Sequence, residues 1–126
     1  MKKRLSILLV EDSKISGENL KEILERRGNI VFLYHTNESV TQDLKDLGEG
    51  FIYDVAIIDR HLGRNYEGDD LMKDLKKRFP KRPIVCYSGL PINTKPKEAE
   101  GYLKKPIIRY DSVEETIREI IQRSKS

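Results

Sequence analysis

The sequence predicts an α/β domain, a doubly wound five-stranded parallel sheet with helices on both faces. Three observations predict it. Short, almost wholly apolar runs at 5–10, 54–59 and 83–87 read as strands buried on both faces. Stretches with apolar residues at helical spacing alternate with those runs, which implies a parallel sheet built through right-handed crossovers. The first and third runs each stop at acidic residues, Glu11-Asp12 and Asp59, which places charge at the carboxyl ends of strands.

The elements follow in order. Residues 5–10 form the first strand. Ser13 is an N-cap for a helix running to about Arg27, with Leu20, Ile23 and Leu24 on one face and Gly28-Asn29 as its stop. A second strand occupies 30–34. Val40, Leu44 and Leu47 mark an amphipathic helix ending near Gly48. After the third strand, a polar loop spans 60–68, and Leu71, Met72, Leu75 and Phe79 mark a helix terminated by Pro80. The fourth strand is 83–87, and Tyr102-Leu103 is a short fifth. Asp111 caps the last helix, with Glu114 three residues on in a capping-box arrangement. Val113, Ile117, Ile120 and Ile121 form that helix's buried stripe.

The 126 residues suit one domain, 1–126. Apolar residues make up 37% and charged residues 36%, but the apolar ones are grouped, which supports a core and excludes disorder. No apolar run approaches the roughly 20 residues that span a bilayer. The run 5–10 is too short for a secretory h-region and lacks a cleavage site, so it reads as strand rather than signal. Cys86 is the single cysteine; it cannot form an internal disulfide, suits a reducing cytoplasm and reads as a small buried hydrophobe. Net charge is +3, with basic clusters at Lys2-Lys3-Arg4 and at 76–82. The second cluster reads as a solvated helix end whose cations complement the helix dipole, so direct nucleic-acid binding is not expected.

Ligands of open parallel sheets bind outside the carboxyl ends of the strands. There stand Glu11 and Asp12, Asp59, Ser88, and the Lys104-Lys105-Pro106 run. Three crowded carboxylates repel each other unless a cation intervenes. The chain has too few His or Cys ligands for zinc, and a hard divalent cation with oxygen ligands fits better. Mg²⁺ (or Mn²⁺) takes one or two carboxylates together with phosphate oxygens. A lysine and a hydroxyl supply further phosphate contacts, and a carboxylate can itself accept a phosphoryl group. The cluster therefore reads as a site of aspartyl phosphorylation.

At these residues the chain resembles the receiver domain of two-component signalling, in its stand-alone, chemotaxis-regulator-like form. The resemblance rests on ILLVEDS (7–13), YDVAIID (53–59), YSG (87–89) and GYLKKP (101–106), and it covers essentially the whole chain. It implies a flavodoxin-like topology. It also implies that Glu11 and Asp12 organise the metal, with Asp12 the more direct ligand, and that Asp59 is the phosphoacceptor. The backbone carbonyl of His61 would complete the metal shell. Ser88 would follow the phosphoryl group, Lys105 would pair with it, and Tyr102 would be the aromatic switch. The Lys105-Pro106 bond is expected to be cis. The implied partners are a sensor histidine kinase or a histidine phosphotransfer protein, and a downstream protein target.

Two features depart from the family pattern. The loop after Asp59 lacks the usual proline and carries Arg60, His61 and Arg64; the His61 side chain is weighed there as a modulator of phosphate lifetime. The stretch 89–104 must hold a helix, two loops and the fifth strand, yet Pro91 and Pro96 fall within it. An interior proline costs about 3 kcal/mol in a helix, so the fourth helix is expected to be short or missing. Leu90, Ile92 and Tyr102 then form a docking patch for a target or a second subunit, as in a homodimer, unless Leu90 and Ile92 fold back to plug the gap.

Nothing after residue 121 reads as a DNA-binding or enzymatic domain, so a complete chain would signal by binding protein or relaying phosphate. The competing function is a phosphorylation-independent binding module that kept the site. A phosphate-transferring hydrolase is disfavoured, because its second acid would stand where His61 is. No Walker A loop and no G-x-G-x-x-G occurs.

Overall fold

A computed structural model of the chain describes residues 3–62 and 67–125. Five parallel strands form one sheet in the order β2-β1-β3-β4-β5: β1 Ser6–Val10, β2 Ile30–Tyr34, β3 Val55–Asp59, β4 Ile84–Ser88 and β5 Gly101–Lys104. The chain moves outward from β1 to β2, then crosses to β3 on the other side of β1. The crevice between β1 and β3 is therefore the topological switch point. Register pairs Val10 with Ile58 and Asp59 with Tyr87, so Glu11 emerges directly beside Asp59.

Alternating side chains of the strands feed two cores. Leu8, Val10, Ala56, Ile58, Ile84 and Cys86 pack under α2 (Asn37–Leu47) and α3 (Glu67–Arg78). Ile7, Leu9, Val55, Ile57, Val85 and Tyr87 pack under α1 (Lys14–Arg26) and α4 (Val113–Ser124). Sandwiching on both faces is why these strands carry almost no polar residue. Cys86 is buried, as expected.

Ser13 caps α1 as expected, its hydroxyl accepting the Ser16 amide at 3.3 Å. Leu20 and Leu24 are buried there, and Ile23 is half-buried. Gly48 closes α2 at φ 52, a left-handed conformation that a side chain would strain. Leu47, on the spacing of α2's apolar face, is a correction: it is exposed rather than buried, because α2 ends there.

The start of α4 is a second correction. Ser112, not Asp111, is the N-cap, and it makes no side-chain capping bond. The Glu114 carboxylate is buried and accepts a hydrogen bond from Asn29 Nδ2 at 2.5 Å, with Arg118 beside it. A buried amide outcompeted the helix terminus for that acid. Part of the basic cluster at 76–82 is also less solvated than expected. Lys76 Nζ binds Glu100 at 2.8 Å, and the Arg82 guanidinium stacks on the Phe79 ring at 3.9 Å.

Between β4 and β5 the described chain has a single 3-10 turn, Ile92–Thr94, flanked by Pro91 and Pro96. The fourth helix of the usual pattern is absent, for the reason its prolines give. Leu90 is half-buried and Ile92 is 63% exposed, so neither fully plugs the gap; the buried Ala99 packs into the α2–α3 core instead. In the loop after Asp59, residues 63–66, including Arg64, lie outside the described residues.

Candidate functional site

The site stands at the carboxyl ends of β1, β3 and β5. Glu11 and Asp59 are each 1% exposed, an expensive placement for two acids. Lys105 Nζ lies between them, 2.8 Å from Glu11 Oε1 and 3.0 Å from Asp59 Oδ2. The same ammonium sits over the Tyr87 ring at 4.7 Å. The other oxygen of each acid takes a backbone amide: Ser13 N–H donates to Glu11 Oε2 at 3.2 Å, and His61 N–H donates to Asp59 Oδ1 at 2.9 Å. Asp12 is exposed at the mouth.

Burial pushes the Glu11 carboxyl up to about 8, and the neighbouring Asp59 pushes the same way. Burial also acts to raise Asp59, but hydrogen bonding from Glu11, Lys105 and the His61 amide holds it below its ordinary value. The two acids are tightly coupled and are pushed in opposite directions, Glu11 up and Asp59 down. For Lys105, burial works against the charge and the two carboxylates outweigh it, raising its pKa.

One oxygen from each of Glu11, Asp12 and Asp59 lies within 4.8 Å of the others. Glu11 Oε1 and Asp59 Oδ2 are buried without an aligned hydrogen bond, for all their proximity to the ammonium. Two buried carboxylate oxygens that share a single ammonium, beside an exposed third acid, suit a hard divalent cation, so the residues present fit a metal.

The remaining expected residues fall around this centre. Ser88 is buried at the end of β4; its hydroxyl accepts the Leu90 amide at 3.0 Å and its carbonyl accepts the Lys105 amide at 2.9 Å. The half-buried Tyr102 donates its hydroxyl to the carbonyls of Ser88, at 3.1 Å, and Leu90. Lys104 points outward, exposed, as expected of Lys105's neighbour. The Lys105-Pro106 bond is cis.

Three residues of the site escaped the sequence reading. His35 follows β2, and its Nδ1 lies 2.9 Å from the Glu11 carbonyl; an inventory of strand ends that included the second strand would have found it. Arg60 grips Asp69 with Nε at 3.0 and 3.2 Å and donates from NH1 to Thr94 Oγ1 at 3.0 Å. That fork ties the loop after Asp59 to the turn that replaces the fourth helix, and no spacing announces it. Gly68 opens α3 so close to β3 that a Cβ there would stand 2.0 Å from the Asp59 carbonyl oxygen, so only glycine fits.

The comparisons with known proteins agree with this geometry. The family described as response regulator receiver domain matches residues 7–118. The aerobic respiration control sensor protein ArcB of Escherichia coli K12 is 30% identical over 99 residues, which cover 79% of this chain but 12% of that protein. A CheY-like receiver domain protein from Methanospirillum hungatei superposes with a TM-score of 0.79 at 22% identity, covering 98% of both chains. A receiver domain protein from Clostridium thermocellum gives 0.78 at 23%, covering 96% of this chain and 97% of its own. At such identities these two structures speak for the fold, a flavodoxin-like arrangement with four helices. The family match spans nearly the whole sheet and brackets every acid of the rim, and on that ground the chain belongs to the response regulator receiver domains of two-component signalling.

Proposed function

We propose that the protein is a phosphoacceptor response regulator that takes a phosphoryl group on Asp59 and passes the signal on by protein–protein contact or phosphorelay. The observation that carries this reading is the buried Asp59 held against Lys105 and Glu11, with one oxygen pinned by the His61 amide and the other facing the Lys105 ammonium at 3.0 Å. A Mg²⁺ or Mn²⁺ ion would be held by Asp12, Asp59 and the His61 carbonyl, with Glu11 orienting the set. When bound, it supplies charge neutralisation for the acids and for incoming phosphoryl oxygens.

Asp59 Oδ2 is the nucleophile. It forms the new O–P bond as the donor's P–N bond breaks, and that electron pair leaves with the donor imidazole. Lys105 moves from the carboxylates to a phosphoryl oxygen, a shift of one hydrogen-bond length. Ser88 turns its hydroxyl from the Leu90 amide to another phosphoryl oxygen. Tyr102 bonds the Ser88 and Leu90 carbonyls, so that turn is felt directly by its ring, and this is the basis for its switch role.

The donor is a phosphohistidine on a sensor kinase or a histidine phosphotransfer protein, in the cytoplasm. Two exposed apolar side chains support a protein donor. Ile15 on α1 is 76% exposed and Ile108 before α4 is 87% exposed, at the same end of helices that share one face. Among the described residues no helix is long and apolar enough to cross a membrane.

The test is intact mass after incubation with Mg²⁺ and acetyl phosphate. Wild type gains one labile phosphoryl group and Asp59→Asn gains none. Wild type that stays unlabelled would instead leave a phosphorylation-independent binding module.

A further inference from the structure

The opposite rim of the sheet, at the amino ends of the strands, carries a groove of about 620 Å³ between the start of β1, the residues before β3 and β4, and the end of α4. That volume falls within the range of small-molecule sites, about 300–1,000 Å³. Its lining is strongly one-signed: Lys3, Lys81, Arg82, Arg118 and Lys125 against the single acid Asp54. Asp54 is already engaged, accepting the Ser6 amide at 2.8 Å. Lys3, Lys81 and Lys125 are exposed and form no ion pair among the described residues.

Helix C-termini attract cations without any ligand, and that accounts for part of the charge here. It does not account for two buried donors. Tyr53 lines the groove, is 2% exposed, and its hydroxyl has no hydrogen-bond partner. Arg82 lies 4.8 Å from the centre of that ring and its guanidinium can only donate toward the hydroxyl oxygen, so the hydroxyl's own proton has no acceptor; Arg82 NH1 donates to the Phe51 carbonyl at 2.6 Å. Burial pushes the Tyr53 hydroxyl up to about 12, so it stays protonated and is a donor. Arg118 also lines the groove with its Nε buried and unpaired, while its NH2 is fixed by the Lys3 carbonyl at 2.8 Å, Asn29 Oδ1 at 3.2 Å and the buried Glu114 carboxylate at 3.5 Å. A buried donor left unpaired costs about 1–3 kcal/mol, so two in one groove call for an acceptor.

We propose that this amino-terminal rim is a second ligand site, one that takes a phosphate-bearing small molecule of nucleotide size. With Asp54 taken by the Ser6 amide and Glu114 by Arg118 NH2 and Asn29, a hydroxyl donor, the free Nε edge of a fixed guanidinium and three exposed ammonium groups remain, and they match the several oxygens of a phosphate. The apolar side chains of Leu5, Ile52 and Ile121 in the same lining give the body of such an ester a surface to pack on. The site lies across the sheet from Asp59, so its occupancy is independent of phosphoryl transfer.

The test is calorimetric titration of the full chain in metal-free, low-salt buffer with ATP, AMP and orthophosphate. The expected result is saturable one-to-one binding, tightest for ATP and weakest for orthophosphate. Tyr53→Phe removes only the hydroxyl. It should weaken ATP roughly tenfold, the loss of one charge-assisted hydrogen bond, with thermal stability unchanged or higher. The Lys81→Gln, Lys125→Gln double variant should weaken it at least as much, and Asp59→Asn should leave it unchanged. Absence of saturable binding overturns the site. Binding indifferent to Tyr53→Phe reduces it to diffuse surface attraction, and binding that Asp59→Asn alters places it at the acidic rim; either overturns the proposal. Orthophosphate as tight as ATP overturns the ester class and leaves a free-anion site.

Discussion

The two rims of the sheet carry opposite charge at very different cost. At the carboxyl rim Glu11 and Asp59 are buried acids, stacked side by side and bridged by one ammonium. At the amino rim Lys3, Lys81 and Lys125 are cations standing in solvent. Helix polarity favours both arrangements: helix starts attract acids such as Glu67, Asp69 and Asp70 in α3, and helix ends attract Lys76, Lys77 and Arg78. Helix polarity does not require burial. The carboxyl rim stores desolvation and like-charge repulsion that one ammonium offsets in part and a bound cation would offset further, whereas most of the amino rim's charge is already hydrated. Strain of that kind marks the reactive end.

Removing the proposed acceptor breaks the comparison most completely. Asp59→Asn should abolish acetyl phosphate labelling in the mass spectrum. Residual stoichiometric labelling would move the acceptor elsewhere. Asp12→Ala comes next. It removes a carboxylate from the proposed metal set and should weaken Mg²⁺ binding by well over tenfold in a calorimetric titration. Unchanged affinity would mean that Glu11 and Asp59 suffice.

Lys105→Ala sharpens the contrast within the rim. Without its ammonium two buried carboxylates lose their counter-charge, which should cost about 3 kcal/mol in metal-free chemical unfolding. Mg²⁺ should restore most of that stability, and its binding should be retained or tightened because no ligand is lost. The response to phosphorylation, read as a change in the Tyr102 environment, should be impaired. Lys104→Ala, an exposed neighbour, should do little. The reverse pattern would shift the register of β5 by one residue.

Much of this was legible in advance. The apolar runs located the strands to within a residue because burial on both faces leaves no room for polar side chains. The acids ending β1 and β3 and the lysine before Pro106 were legible because parallel topology brings strand ends to one rim. Prolines 91 and 96 were enough to remove a helix, since their effect is local and steric. Pairings between distant polar groups were not legible. Glu114 binds Asn29 rather than its own helix start, and Arg60 reaches Thr94. Either acid or base had several partners of equal chemistry, and only the packed geometry chose among them.

The smallest effect tests the other side of the comparison. Lys81 and Lys125 line the amino-terminal groove but make no ion pair among the described residues. Each leaves a hydrated charge that folding neither buries nor partners, so replacing it removes little from the folded state relative to the unfolded chain. The Lys81→Gln, Lys125→Gln double variant should therefore unfold within about 0.5 kcal/mol of wild type, against about 3 kcal/mol for Lys105→Ala. Lower salt should tip the balance slightly toward the variant, because it carries less of the rim's mutual repulsion. A loss comparable to that of Lys105→Ala would show that the amino rim is held together by its cations. The asymmetry between a rim of buried charge and a rim of largely hydrated charge would then be wrong.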